Sequence, residues 1–124
     1  MGDKDAGLPP ISLTRAVDSF RAARSFLLLR RGRLVFGTVS GTQVGHGLAD
    51  ESVGVTFGEL AGLCVELGAD SAMGLDGGGS SCLVVVGDHG PVVQNVPTGG
   101  ADVPPGHERF IATYLLAVPR RSDR

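Results

Sequence analysis

The chain has no tryptophan, one tyrosine, one lysine, one asparagine and two cysteines among 124 residues. With so few rings there is little to stack on bases or sugars, which argues against an aromatic platform for ligand binding. The lone lysine, Lys4, excludes a phosphate-binding P-loop. Cys64 and Cys82 form no C-x-x-C pair and have no histidine at zinc spacing, so neither a metal nor a cofactor is expected. Two buried free thiols are the expectation, with one disulfide as the alternative in an exported protein. No apolar run approaches 18 residues, the longest being Phe26 to Leu29, Leu83 to Val86 and Tyr114 to Val118, so no membrane span is expected. The start, Met1-Gly2-Asp3-Lys4-Asp5, lacks the basic and apolar regions of a secretory signal, and Ala6 breaks the myristoylation pattern. A cytoplasmic location is the expectation for the chain as it stands.

The residues that are present describe one small folded domain. Hydrophobic residues make up 42% and charged residues 19% of the chain, enough for a modest core of mainly aliphatic side chains. Twenty glycines, in no G-X-Y period, imply many tight turns and exclude collagen. Charge is uneven: residues 1–40 hold seven cations against three acids, 41–110 hold Arg109 against nine acids, and 111–124 hold three arginines against one acid. The arginines at 15, 21, 24, 30, 31 and 33 resemble a phosphate-backbone footprint, yet no nucleic-acid motif accompanies them. They read as a solvated face, and no nucleic-acid partner is expected.

The pattern of elements favours an α+β class, with a mixed, mainly antiparallel sheet and one or two packed helices. Residues 1–10 read as a disordered leader, 11–118 as the folded domain and 119–124 as a frayed tail. Leu13, Val17 and Phe20 recur at helical spacing after Ser12, predicting a helix that runs toward Ala23. Ser25 to Arg30 and Arg33 to Ser40 flank Arg31-Gly32 as a β-hairpin. Gly41 to Val53 is an irregular loop. Thr56-Phe57-Gly58-Glu59 is a capping-box pattern opening a helix with a stripe of Phe57, Leu60, Ala61, Cys64 and Leu67 that stops at Gly68. Ser71 to Leu75, Ser81 to Val86, Val92 to Asn95 and Arg109 to Val118 read as strands, with a Gly- and Pro-rich loop at Pro97 to His107.

One stretch carries chemistry: Asp76-Gly77-Gly78-Gly79-Ser80-Ser81. Three consecutive glycines are entropically costly and serve positive φ angles or close approach of a ligand to the backbone. Either the run is a flexible turn, or its amides form an anion-binding nest with Ser80 and Ser81 as extra donors and Arg109 as a clamp. The dinucleotide fingerprint fails because no glycine lies three residues after Gly79, and a nucleophile elbow fails because Cys82 stands where glycine is required. Glu59 is either a second carboxylate or the closing member of the capping box. Asn95, two residues before Pro97, either holds a sugar hydroxyl or shapes a turn. His46, His89 and His107 read as solvated loop residues, His107 being the best placed because it is near Arg109.

The residues Gly54 to Ala61, Leu67-Gly68-Ala69, Leu75 through Ser81, Asn95-x-Pro97 and Glu108-Arg109 together resemble the phosphodiester glycosidase family. The resemblance spans Arg24 to Val118, the C-terminal portion of the longer family domain, and bacterial relatives are exopolysaccharide-related. It departs at Gly74, where the family usually has asparagine, at Val96, which replaces a common arginine, and at Phe110 and Thr113. What it implies is hydrolysis of a sugar-1-phosphodiester of the N-acetylglucosamine-1-phosphate type to free sugar and a phosphomonoester. On that implication Asp76, Glu59 and Arg109 are the candidate catalytic residues, and Gly77, Gly78, Gly79, Ser80, Ser81, Asn95 and Thr56 the candidate substrate contacts. The alternative is a sugar-phosphate binding module without turnover. If the chain is a fragment missing the N-terminal half of the domain, the sheet edges left open predict a homo-oligomer or poor solubility.

Overall fold

A computed structural model of the chain describes residues 20–41, 52–99, 103–104 and 106–121. The expected leader, the irregular loop after Gly41, His46 and most of the first expected helix lie outside these residues. The described end of that helix is not helical. Ala22 and Val55 form an antiparallel bridge, exchanging N–H···O bonds of 3.2 and 3.1 Å. With its backbone groups satisfied across the chain, Ala22 has no use for a helical partner.

Strands β1 (Arg24–Arg30) and β2 (Arg33–Val39) form the expected hairpin, in register from Arg24↔Val39 to Arg30↔Arg33. Its two turn residues, Arg31 and Gly32, both have positive φ, 48° and 74°. That conformation matches the right-handed twist of the flanking strands. Asp70 braces the turn by accepting the Arg31 N–H at 2.9 Å. Strand β3 (Ser71–Gly74) pairs antiparallel with the other side of β1, giving the order β2-β1-β3.

Helix α1 (Phe57–Glu66) begins with the complete capping box. The Thr56 hydroxyl accepts from the Glu59 N–H at 3.1 Å, and the Glu59 carboxylate accepts from the Thr56 N–H at 3.1 Å. It ends in a Schellman arrangement: Gly68, at φ +79°, donates to Val65 O, and Ala69 donates to Cys64 O. The helix lays Leu60 and Cys64 onto Phe26 and Leu28 of β1, with Val39, Val55, Phe57, Leu63 and Ala69 around them. Alternation along β1 makes this possible, since Arg24, Phe26 and Leu28 share its buried face. The Phe26 ring lies over Gly37 on β2, filling the space where a β-carbon would stand.

Backbone crowding fixes the approach to α1. Gly54 sits at φ +75°, and a β-carbon on it would come 2.2 Å from the Ala22 carbonyl oxygen. One on Gly41 would lie 2.6 Å from the Gly54 Cα. The Ser52 hydroxyl ties this crossing to Ser40 O at 2.6 Å.

Strands β4 (Val84–Gly87) and β5 (Gly90–Val93) form a separate antiparallel ribbon. β4 starts three residues later than expected, because the Asn95 side chain takes Ser81 O and Leu83 N–H in place of backbone rungs, leaving only Leu83 O to accept from Gln94 N–H at 2.7 Å. β5 lies earlier than expected, at Gly90–Val93 rather than Val92 to Asn95, for the same reason. The expected strand over Arg109 to Val118 does not form, having no ladder partner among the described residues. The class is α+β, with antiparallel sheets and one helix among the described residues. No helix among them is long and apolar enough to cross a membrane.

Candidate functional site

The glycine run lies between β3 and β4 and folds back onto the start of β1. Gly78, at φ +59°, donates its N–H to Ala23 O at 2.8 Å. Residues Gly78–Ser80 then make one 3₁₀ turn, with Ser80 N–H on Gly77 O at 3.2 Å and Ser81 N–H on Gly78 O at 3.0 Å. The Gly77 N–H is held by Asp76 Oδ1 at 3.0 Å. Four of the five amides from Gly77 to Ser81 therefore have acceptors, three within residues 76–81 and that of Gly78 on Ala23. The Gly79 N–H has none among the described residues.

Glycine is required here by close approach rather than by freedom alone. A β-carbon on Gly77 would meet Ala23 O at 2.8 Å. One on Gly79 would strike Gly99 O at 2.1 Å and sit 3.2 Å from the Arg109 guanidinium. Arg109 crosses 29 residues of sequence to donate from Nη2 to the Ser80 hydroxyl at 2.7 Å. The expected clamp and the expected cradle are thus in contact, with the guanidinium lying against Gly79.

Asn95 anchors the far side of the turn. Its Oδ1 accepts from Leu83 N–H at 2.8 Å and its Nδ2 donates to Ser81 O at 2.7 Å, as if it were one more rung of the β4–β5 ladder. Ser81 is fully buried, and its hydroxyl has no partner among the described residues. Val96 N–H reaches Ser40 Oγ at 3.0 Å and Thr98 Oγ1 donates to Gly41 O at 2.8 Å, tying this segment to the end of β2.

Thr56 and Glu59 form a second cluster, at the start of α1. Besides closing the capping box, Glu59 pairs with Arg21: Arg21 Nη1 donates to Oε2 at 2.8 Å, and Arg21 Nη2 meets Oε1. Among the described residues no side-chain hydrogen bond joins this cluster directly to Asp76 or to the glycine turn. Asp76 is exposed, and its second oxygen is unengaged among the described residues.

Two participants escape a reading of the sequence. Arg24 was grouped with a solvated arginine face, yet it is 6% exposed. Its Nε donates to Val55 O at 3.1 Å, its Nη2 to Phe20 O at 2.7 Å, and its guanidinium stacks 3.8 Å from the Phe57 ring centre. Its Cδ underlies Gly77. The period-2 pattern Arg24, Phe26, Leu28 was the available signal that it faces inward. Gly99, at φ +83°, supplies the carbonyl against Gly79 and carried no signal beyond the Gly-rich loop around it.

Both cysteines are free; Cys64 is buried in the core and Cys82 is half-buried. Burial pushes the Cys82 thiol above its ordinary range, and the nearby negative charge of Glu108 pushes it further. His89 and His107 are exposed, as expected. A half-open recess of about 170 Å³ lies between α1 and β3, lined by Phe26, Phe57, Leu60, Met73 and Gly74 among others. Its lining carries no charged side chain, so it offers nothing to hold a phosphodiester.

The serine- and glycine-rich turn thus brings a hydroxyl and an arginine guanidinium together over Gly79. The family model for phosphodiester glycosidases matches residues 7–118, and the chain belongs to that family. No curated protein and no solved structure matches it.

Proposed function

We propose that this chain hydrolyses a sugar-1-phosphodiester, of the N-acetylglucosamine-1-phosphate type, to free sugar and a phosphomonoester. The observation that carries the reading is the contact of Arg109 with Ser80 over Gly79. It gathers a delocalised cation, a hydroxyl and the free Gly79 N–H at one turn, the donor set a singly charged phosphodiester needs. In the reaction, water forms a bond to the anomeric carbon as the bond from that carbon to the phosphate oxygen breaks. One water proton stays on the sugar hydroxyl and the other ends on the phosphomonoester. The phosphate is a good leaving group, so the demand on the protein is to hold it and to stabilise positive charge at the anomeric centre. Asp76, with one oxygen fixed by Gly77 N–H and one free, supplies the carboxylate for that centre or its attacking water. Glu59 is left in this reading to the start of α1.

A second reading is binding of a sugar phosphate without turnover. It is favoured by the engagement of both Glu59 oxygens, which leaves Asp76 as the only one of the two candidate carboxylates with an unengaged oxygen among the described residues. Release of free sugar from an N-acetylglucosamine-1-phosphodiester, followed by mass spectrometry, separates the two. Asp76→Asn is expected to lower release by roughly 10²-fold or more at equal folded concentration. Arg109→Ala is expected to raise KM as well, through loss of the phosphate contact. A folded wild-type chain that binds the diester and releases no sugar establishes the second reading.

A further inference from the structure

Arg24 opens β1 and is the one arginine among the described residues that is buried. A guanidinium withdrawn from water has to recover its hydration from the protein, and its contacts show where it does so. Nε donates to Val55 O, at the entry to α1, at 3.1 Å, and Nη2 donates to Phe20 O at 2.7 Å. The plane stacks 3.8 Å from the centre of the Phe57 ring, on the first residue of α1. A planar fork makes these three contacts at once, which a lysine ammonium cannot do.

The stem of the same side chain meets the glycine turn. The register Phe26↔Gly74 continues past the end of β3, where Leu75 N–H donates to Ser25 O at 2.8 Å. The next position in that register sets Asp76 opposite Arg24. Gly77 then lies beside the stem, since a β-carbon there would come 3.8 Å from Arg24 Cδ and 2.8 Å from Ala23 O. Gly78 N–H closes the contact on Ala23 O at 2.8 Å. Gly77 in turn holds Asp76, its N–H on Oδ1 at 3.0 Å. The aim of the carboxylate therefore follows the placing of Gly77, and Gly77 is placed by Ala23 and Arg24.

We infer that Arg24 is a positioning residue for the reaction proposed above: with its head fastened to Val55, Phe20 and Phe57, its stem sets Gly77 and through it aims the Asp76 carboxylate. The inference rests on that reading of Asp76. Misplacing a reacting group by about 1 Å costs up to roughly 10²-fold in rate. The Arg109–Ser80 contact that holds the phosphate does not pass through Arg24. In this role Arg24 touches no substrate and acts on kcat rather than on KM.

The test is a double-mutant cycle of Arg24→Lys and Asp76→Asn on sugar release from an N-acetylglucosamine-1-phosphodiester. Hydrogen exchange of the Gly78 amide, followed by nuclear magnetic resonance, is the second readout, and far-ultraviolet circular dichroism checks folding. The lysine keeps the charge and most of the stem and loses the fork. In Arg24→Lys kcat is expected to fall roughly 10- to 100-fold with KM little changed, and the Gly78 amide to exchange faster. Once Asp76 is asparagine, the change at Arg24 is expected to have no further effect. Phe57→Leu, which removes the stacking ring alone, is expected to move the same readouts the same way by less, and it serves if Arg24→Lys does not fold. Equal losses in both Asp76 backgrounds overturn the inference, as does a rise in KM at unchanged kcat. Unchanged Gly78 exchange in a chain that releases sugar also overturns it while leaving the reading of the reaction intact. A folded wild-type chain that releases no sugar overturns that reading, and the role of Arg24 in kcat with it.

Discussion

Cys82 sits between the glycine turn and β4, one residue after the fully buried Ser81 and close to Glu108. Because burial and then the Glu108 charge favour its neutral form, folded Cys82 keeps its proton to higher pH than the unfolded chain does. Its contribution to stability is therefore complete below the unfolded thiol's range and is lost as pH rises through the higher folded one. Alkylation of Cys82 by iodoacetamide, located by peptide mass, is expected to be slower near pH 8 than that of a free thiol, since the thiolate is the nucleophile. Glu108→Gln is expected to speed it. At this scale the sequence revealed residue types better than roles. The glycine run was legible because three consecutive glycines are costly, whereas Arg109, 29 residues from Ser80, was joined to it only as a possible clamp and through the family resemblance. Asn95 is open between two uses in the sequence, and in the fold its side chain bonds Leu83 N–H and Ser81 O. Arg24 was misread because a cluster of arginines in sequence says nothing about which of them a pleat turns inward.

The elements that sequence fixed best are those closed by local chemistry. α1 is bounded by a capping box and a Schellman glycine, both contained within a few residues of its ends, and the β1–β2 hairpin by its two-residue turn. Removing the local chemistry should show its worth. Thr56→Ala is expected to lower stability by about 1 kcal/mol in urea denaturation, and Thr56→Ser to restore most of it. A loss below about 0.3 kcal/mol would mean that the Arg21–Glu59 pair, worth little as a surface ion pair, holds the helix start on its own. The elements misjudged are those decided at long range. The Ala22 bridge to Val55 depends on a residue 33 positions away. The run from Arg109 to Val118 has the composition of a strand, but composition cannot supply a neighbour.

At the scale of the molecule the buried apolar side chains among the described residues are few: Ala23, Phe26, Leu28, Leu60 and Cys64. Leu28 is its most enclosed large side chain, at 1% exposure on the central strand beneath α1. Leu28→Ala is expected to cost about 2–5 kcal/mol, a large share of the roughly 5–15 kcal/mol available to a domain of ordinary stability. Chemical denaturation checks this, and the variant should begin to unfold near room temperature. The α+β class was legible because helical and alternating patterns both occur without a βαβ rhythm. The division into a three-stranded sheet and a separate ribbon was not, because pairing partners are a property of the folded chain.

The crossing of Gly41, Gly54 and Ala22 has one more implication. Gly41 follows the end of β2 and Gly54 precedes α1, and the two are held against Ala22 and each other by backbone contact, with the Ser52 hydroxyl on Ser40 O. The end of the hairpin and the start of the helix are thus set by one point, so a side chain added at either glycine would displace both elements together rather than loosen one of them.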